Sequence, residues 1–355
     1  MRILFCVDDF KGGAGNVIQL LSIELKIRNH HIAICCLGGT TPGRHPIGDI
    51  PVYRIPSHKN LAIKYSRFVK QTRDVIKQEK PDCVVSFLFG VSSFVNLAML
   101  GMHIPHIVSE RSDPNYLKPS GIMAFLTEMS YKRAKNIVVL FDDFKNISNN
   151  RYIEKTITIP NPVPSISLAQ TDVNSTNNEI RFVTIANDTP PKGLDLLVAA
   201  FTKTARNYSN IVLRIYGKES RRLSEQIQKE GMQNQIFLMG YTLDIEQALS
   251  WADVYVMPSR HEGFPNSLCE AMSAGKCCIA TLCHSGIKEI IEDGKNGLIA
   301  KEVSVEALAE RISFIMENTN KIKELGNEAK VLSAKYDMDN IVIMWEELIN
   351  NVIKK

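Results

Sequence analysis

The sequence predicts an α/β protein of two domains, each built on a parallel sheet, and three observations carry this reading. The chain has 355 residues, more than the roughly 250–300 at which a single hydrophobic core stops growing. Apolar strand-like runs alternate with helix-like segments from one end to the other. The composition breaks once, after IPNPV (159–163), where residues 164–179 turn rich in Ser, Thr, Asn and Gln, as a linker or surface loop does. With 45% hydrophobic and 23% charged residues, wholesale disorder is excluded, and 20 Gly and 15 Pro are too few for a fibrous chain.

The first half opens with a strand over 2–7, a glycine loop (DDFKGGAGN, 8–16), a helix over 16–28 and a strand over 31–37. That is the start of a parallel sheet. A basic helix follows over 61–78. Between Asp82 and Glu110 come 27 residues without Asp, Glu, Lys or Arg, so a membrane-spanning helix must be weighed. Such a span needs about 20 mostly apolar residues. This run is broken by Ser86, Gly90, Ser92, Ser93, Asn96 and Pro105. It divides better into a strand (83–89), a helix (92–100) and a second strand (106–108), because strands covered on both faces read as continuous apolar runs. Strands at 135–140 and 157–159 close the half. No signal peptide is read at the start, where 1–7 is a strand pattern with no long apolar stretch behind it.

The second series has strands over 180–186, 211–216, 236–239, 254–257 and 277–280, with helices over 193–206, 220–229, 245–250 and 266–274. A last helix, 340–353, carries Trp345 and Leu348 on its apolar face. It is expected to cross back to the first domain, giving one domain of 1–162 with 336–355 and another of 163–335.

The eight cysteines show no CxxC spacing and sit mostly in apolar runs, which points to buried thiols in a reducing cytosol. The histidine pairs His30–His31 and His103–His106 lack a third ligand nearby, so no metal site is expected. Charge divides unevenly: residues 1–162 hold 21 bases and 13 acids, residues 163–355 hold 21 and 25. The excess concentrates at Lys59, Lys64, Arg67, Lys70, Arg73, Lys77 and Lys80. A basic amphipathic helix of this kind either faces an anionic membrane surface or is a solvated face. No nucleic-acid motif accompanies it, so nucleic acid is not expected as a partner.

Two segments can carry chemistry. In the glycine loop, Gly12, Gly13 and Gly15 precede a helix start, where backbone N–H groups can meet phosphate; a tight strand–helix turn would need the same residues. The dinucleotide fingerprint fails there, since GxGxxG read from Gly13 meets Ile18 and no acid ends the second strand, which disfavours NAD. The second segment, PSRHEGFPNSLCEAMSAGKCCIAT (258–281), is more informative. A strand ends at Pro258, Pro265 opens a helix and Gly275 closes it. Glu262 and Glu270, with seven residues between them, fall at the carboxyl end of a parallel strand, where α/β sheets bind ligands. Backbone N–H groups around Phe264, Pro265, Asn266, Ser267 and Leu268, with Gly263 before them, can meet a diphosphate. The carboxylates cannot bind phosphate and are left for hydroxyls. Diphosphate beside hydroxyls describes a nucleotide sugar; an ordinary turn with two surface acids is the plainer alternative.

This segment resembles the signature of the family 4 retaining glycosyltransferases of GT-B fold. The similarity continues through HSGIKEIIEDGKNGLIA (284–300), IPNPV (159–163), the pair Lys192–Gly193 and GGAGN (12–16). SERSDP (109–114) resembles members that build bacterial surface or lipid-linked glycans. The resemblance implies two Rossmann-like domains facing a central cleft, an N-terminal acceptor-binding domain and a C-terminal nucleotide-sugar-binding domain. It implies that Glu270 binds the donor ribose, that Glu262 contacts the transferred sugar and that Lys192 neutralises the leaving diphosphate. Gly12, Gly13 and Gly15 would pass close to donor or acceptor. The family's usual phosphate-clamping Arg is replaced by Asn187, which leaves Arg260 as a possible substitute, and Glu110 or Arg111 would contact the acceptor.

The activity implied is metal-independent and cofactor-free transfer of a hexose or N-acetylhexosamine, by front-face displacement, from a UDP-linked donor to a lipid-linked glycan. The setting would be surface polysaccharide biosynthesis in a bacterial cytoplasm, peripheral to the inner face of the membrane. Two rival classes stand beside it: a nucleotide-sugar 2-epimerase of the same fold, and an inactive nucleotide-sugar-binding scaffold.

Overall fold

The computed structural model describes residues 1–10, 12–38, 43–114, 116, 118–168 and 179–354. Lys11 and Gly39 of the sequence motifs, and 169–178 of the expected linker, lie outside the described residues. The chain divides into two compact units, Met1–Pro162 with Met338–Lys355, and Val163–Asp337.

The first unit contains β1 (Arg2–Val7), α1 (Gly13–Ile27), β2 (His31–Gly38), β3 (Val52–Pro56), α2 (Leu61–Glu79), β4 (Cys83–Phe87), α3 (Phe89–Ala98), β5 (His106–Ser109), α4 (Gly121–Arg133), β6 (Asn136–Val139) and β7 (Thr156–Thr158). Its seven strands are parallel, in the order β3-β2-β1-β4-β5-β6-β7. Strand alternation sends Ile3, Phe5 and Val7 to one face and Leu4 and Cys6 to the other, and both sets are buried. The uncharged run is accordingly β4, α3 and β5 in the core of this unit. No helix among the described residues is long and apolar enough to cross a membrane.

The second unit contains β8 (Ile180–Ile185), α5 (Leu194–Ala205), β9 (Ile211–Tyr216), α6 (Arg221–Lys229), β10 (Ile236–Gly240), α7 (Ile245–Trp251), β11 (Val254–Met257), α8 (Asn266–Ser273), β12 (Cys277–Thr281), α9 (Ile287–Ile290), β13 (Leu298–Ala300), α10 (Val305–Glu317) and α11 (Lys321–Ser333). Its parallel order is β10-β9-β8-β11-β12-β13. α12 (Met338–Lys354) then rejoins the first unit. There Trp345 is fully buried and stacks on Phe87 at 5.9 Å between ring centroids. Arg28 and His30 hold α12 from α1 through Asp339 (3.0 Å) and Glu346 (2.6 Å from the His30 ring).

Several elements differ from the sequence expectation. The glycine loop is shorter than expected, since α1 begins at Gly13 with Gly12 as its N-cap. The strand expected to reach residue 89 stops at Phe87, and α3 starts at Phe89. β3 is an edge strand with mixed exposure and therefore no apolar run to announce it. α4 carries apolar residues all round and so lacks a helical period.

In both sheets the strand order reverses beside the first strand. The connections from β1 and β4 leave on opposite faces, as do those from β8 and β11. A crevice opens at such a point, at the carboxyl ends of the strands, and this is where open α/β sheets take ligands.

Candidate functional site

In the second unit the loops leaving β8 and β11 meet at the reversal point. Lys192, after β8, places its Nζ 2.7 and 2.8 Å from the two carboxylate oxygens of Glu262, after β11. Ser259 Oγ donates to the same Oε1 at 2.6 Å. Glu262 is nearly buried, while about a third of the Lys192 side chain is exposed. An ammonium has three N–H donors and a carboxylate about four acceptor positions. Among the described residues each group therefore keeps one bonding position beyond those used here.

The backbone enforces this meeting. Gly193 has a left-handed φ of 64°, and a Cβ there would lie 2.1 Å from the carbonyl oxygen of Pro258. Only glycine lets the β8 loop lie this close to the end of β11. Pro191 O accepts from the N–H groups of Arg260 (2.7 Å) and His261 (3.2 Å). Arg260 forms a two-pronged pair with Asp195 at 2.7 Å on each side and donates to Pro190 O. That guanidinium holds the Asp195 carboxyl below its usual range. Arg260 thus braces the loop after β11 against α5. Asp195 and Ser259 were not singled out by the sequence, because a short polar residue in a turn carries no spacing signal.

α8 follows directly. Pro265 precedes it and, among the described residues, no side-chain cap bonds its N terminus; the Asn266 N–H turns back to Phe264 O at 2.9 Å, and the helix end carries a partial positive charge. Tyr255 OH donates to Ser267 Oγ at 2.8 Å, fixing that turn from β11. Leu268 is fully buried, Phe264 packs edge-on against Tyr336 at 5.6 Å, and Glu270 is 6% exposed. Gly263 and Asn266 are half-buried in the same connection. Glu262, Lys192 and the start of α8 therefore share one crevice edge.

Asn187 lies at the end of β8, but its side-chain oxygen accepts the Lys218 N–H at 2.8 Å. Asp188 N–H donates to Lys218 O at 2.7 Å, and Ser220 Oγ bonds the Asp188 carboxylate. Asn187 therefore ties the loop after β8 to the backbone of Lys218 in the loop after β9.

The residues singled out in the first unit fall differently. Among the described residues nothing lies within 4 Å of where a Cβ on Gly12 (φ 83°) would stand, and Gly13 opens α1 beside it. At Gly15 the Cβ position would lie 2.4 Å from Phe10 C; its close neighbour is its own chain, so the glycine is required by the turn. Glu110 and Arg111 follow β5, and both are buried. Glu110 accepts from Tyr131 OH and from the Phe89 N–H at the start of α3, and burial pushes its carboxyl up to about 7. Arg111 donates to Ser109 Oγ (2.8 Å), Ile159 O (2.9 Å) and Asn161 Oδ1 (3.0 Å), with its guanidinium over the Phe87 and Trp345 rings. These contacts make Arg111 a brace between β5, the end of β7 and α12. Arg73, counted among the surface bases, turns to the carbonyls of Ala98 and Leu100 at 2.7 and 2.8 Å and closes the end of α3.

Two family models match the chain in succession: Glycosyltransferase Family 4 over residues 11–165 and Glycosyl transferases group 1 over 168–332. A Campylobacter jejuni relative, GalNAc-alpha-(1->4)-GalNAc-alpha-(1->3)-diNAcBac-PP-undecaprenol alpha-1,4-N-acetyl-D-galactosaminyltransferase, is 25% identical over 297 residues, 83% of this chain and 81% of that protein. Among solved structures, sucrose-phosphate synthase from Thermosynechococcus elongatus superposes with a TM-score of 0.87 at 14% identity, with 100% of both chains covered. Anabaena Alr3699/HepE in complex with UDP superposes with a TM-score of 0.81 at 18% identity, covering 99% of this chain and 100% of that one.

Proposed function

The chain belongs to the glycosyltransferases of the GT-B type, and from that premise we propose that it moves a hexose or N-acetylhexosamine from a UDP-linked donor to a lipid-linked glycan, with retention at the anomeric carbon. The observation that carries the reading is the Lys192–Glu262 pair at the reversal point of the second sheet, beside an uncapped helix start. It offers one cationic donor for a phosphate oxygen and one carboxylate position for a hydroxyl, side by side.

In this reading the second unit holds the donor. N–H groups of Gly263, Phe264, Ser267 and Leu268, in the connection around Pro265, receive the diphosphate, while the Asn266 N–H is held by Phe264 O. Glu270 takes the ribose hydroxyls and Glu262 a hydroxyl of the transferred sugar. As the glycosidic bond breaks, charge develops on the diphosphate, and Lys192 with the helix start stabilises it in place. The leaving diphosphate assists deprotonation of the acceptor hydroxyl on the same face of the sugar. In this reading the first unit receives the glycan acceptor, beside Gly12 and Gly13 at the start of α1. The bases of α2 with Lys59 and Lys80, Arg73 excepted, face an anionic membrane, at whose cytoplasmic side the lipid-linked acceptor would be presented. The C. jejuni relative, named for an undecaprenol-linked acceptor, and HepE, solved with UDP, support this choice of substrates.

A panel of nucleotide sugars, scored by release of free nucleotide with and without a lipid-linked glycan, tests the reading. A UDP-sugar should turn over, and Glu270→Ala should abolish turnover. Full activity of that variant would sink the assignment.

A further inference from the structure

The first unit has an apolar groove on its surface that the reaction does not use. It lies between α2, α3 and α4, measures about 580 Å³, and is walled by Tyr65, Val69, Phe94, Leu97, Met123 and Leu126. That volume is within the range (~300–1,000 Å³) of sites that hold small organic ligands. On its α4 wall Ile122 is 76% exposed, and Phe125, one helical turn on, is 63% exposed. Across it, α2 exposes Leu61 and Ile63. Exposed apolar side chains gathered around one groove are unlike scattered surface hydrophobics and mark a contact surface.

The charges on this face have one sign. From Leu61 to Arg73, α2 contains Lys64, Arg67, Lys70 and Arg73 and no acid, and α4 contains no charge before Glu128. Arg73 is spent on the end of α3. Lys64 lies over the Tyr65 and Phe68 rings, at 5.8 and 5.5 Å, and Arg67 and Lys70 are exposed. An occupant must therefore bring anionic groups to the rim and apolar matter to the floor. An extended peptide would lay backbone N–H and C=O groups along an apolar wall, where they lack partners, and a helical one would have to be acidic on the face turned to Lys64, Arg67 and Lys70. A hydrocarbon chain has no such groups.

We propose that this groove and the exposed edge of α4 dock on an anionic phospholipid bilayer, with Ile122 and Phe125 inserted among the acyl chains, a chain in the groove, and Lys64, Arg67 and Lys70 on the lipid phosphates. A basic helix alone gives only electrostatic adhesion, which salt screens. Apolar side chains on the same face add an anchor that salt does not remove. The proposal deepens the membrane contact suggested above, and stands whether or not the sugar chemistry is as described.

The test uses the full chain and vesicles of phosphatidylcholine with or without phosphatidylglycerol. The wild type should sediment with the anionic vesicles and retain a bound fraction at high salt. Ile122→Ser with Phe125→Ser should lower partitioning at least about tenfold, since each apolar side chain lost contributes on the order of a tenfold factor or more. Both positions are exposed, so circular dichroism and donor hydrolysis without membranes should be unchanged. A wild type that binds the vesicles but turns over no nucleotide sugar would count against the sugar reading alone, and lost binding with intact hydrolysis in the double-serine variant would support the docking surface. As a second readout, Phe125→Trp should gain fluorescence quenching by bromine-labelled acyl chains above the wild-type background. Equal partitioning of the double-serine variant, absence of added quenching, or a dimer that only the double-serine variant loses would each overturn the proposal.

Discussion

A methyl group on Gly193 would lie 2.1 Å from the carbonyl oxygen of Pro258. Sixty-five positions apart in the chain, these two residues set how closely the loops after β8 and β11 approach, and so whether Lys192 reaches Glu262. Gly193→Ala must strain a left-handed backbone and push β11's loop away. We expect a cost of about 1–3 kcal/mol in stability, seen as a lower urea midpoint. Donor turnover should fall much further than the folded fraction does.

Lys192→Ala removes the ammonium that, in the proposed reaction, stabilises the leaving group, and leaves Glu262 with Ser259 as its remaining partner among the described residues. Turnover should drop by about 10²–10³-fold, the usual loss for one preorganised donor on a developing anion. UDP binding, followed by calorimetry, should weaken less than turnover. If the two fall together, Lys192 contributes to binding and not to the charge-separating step.

Glu110 gives a pH signature. Its carboxyl is raised from 4.5 to about 7 by burial. A raised acid favours folding while protonated, so its contribution is fully present below about pH 4.5, declines as pH rises to about 7, and is absent above that. Urea midpoints of the wild type should carry this downward slope. Glu110→Gln keeps the acceptor for Tyr131 and Phe89 while removing the charge, and its midpoint should lack the slope. A wild type and variant that track each other across pH 4.5–7 would show that the carboxyl is solvated.

Trp345→Ala empties a fully buried site that stacks on Phe87 and underlies Arg111. Large-to-small changes of this kind cost about 3–5 kcal/mol. The loss should fall on the first unit, read as protease cleavage within residues 1–162 at denaturant levels where 179–335 stays protected.

The sheet and one edge of the site were legible in the sequence because both rest on local patterns. β4 is an apolar run opened by Pro81 and Asp82, and the Glu262–Glu270 spacing sits on a strand–loop–helix with proline and glycine at its ends. The pairing of Lys192 with Glu262 was not legible as geometry. It depends on β8 lying next to β11, a register that no spacing within either loop encodes. The same holds for Arg111: a charged residue after a strand looks like a surface contact until β7 and α12 are seen to close over it. α4 escaped because its apolar residues face outward as well as inward, which destroys the period by which helices are recognised.

The return of α12 to the first unit has a consequence for biogenesis. Residues 1–162 leave the ribosome first, yet the core they form includes Trp345, Ile341 and Ile349, which are made after the entire second unit. During synthesis the second unit can complete its own interior while the earlier sheet waits with part of one apolar face uncovered beside α1. Chains halted before residue 338 should therefore be substrates for chaperones and proteases, even though every β-strand of the molecule has already been made.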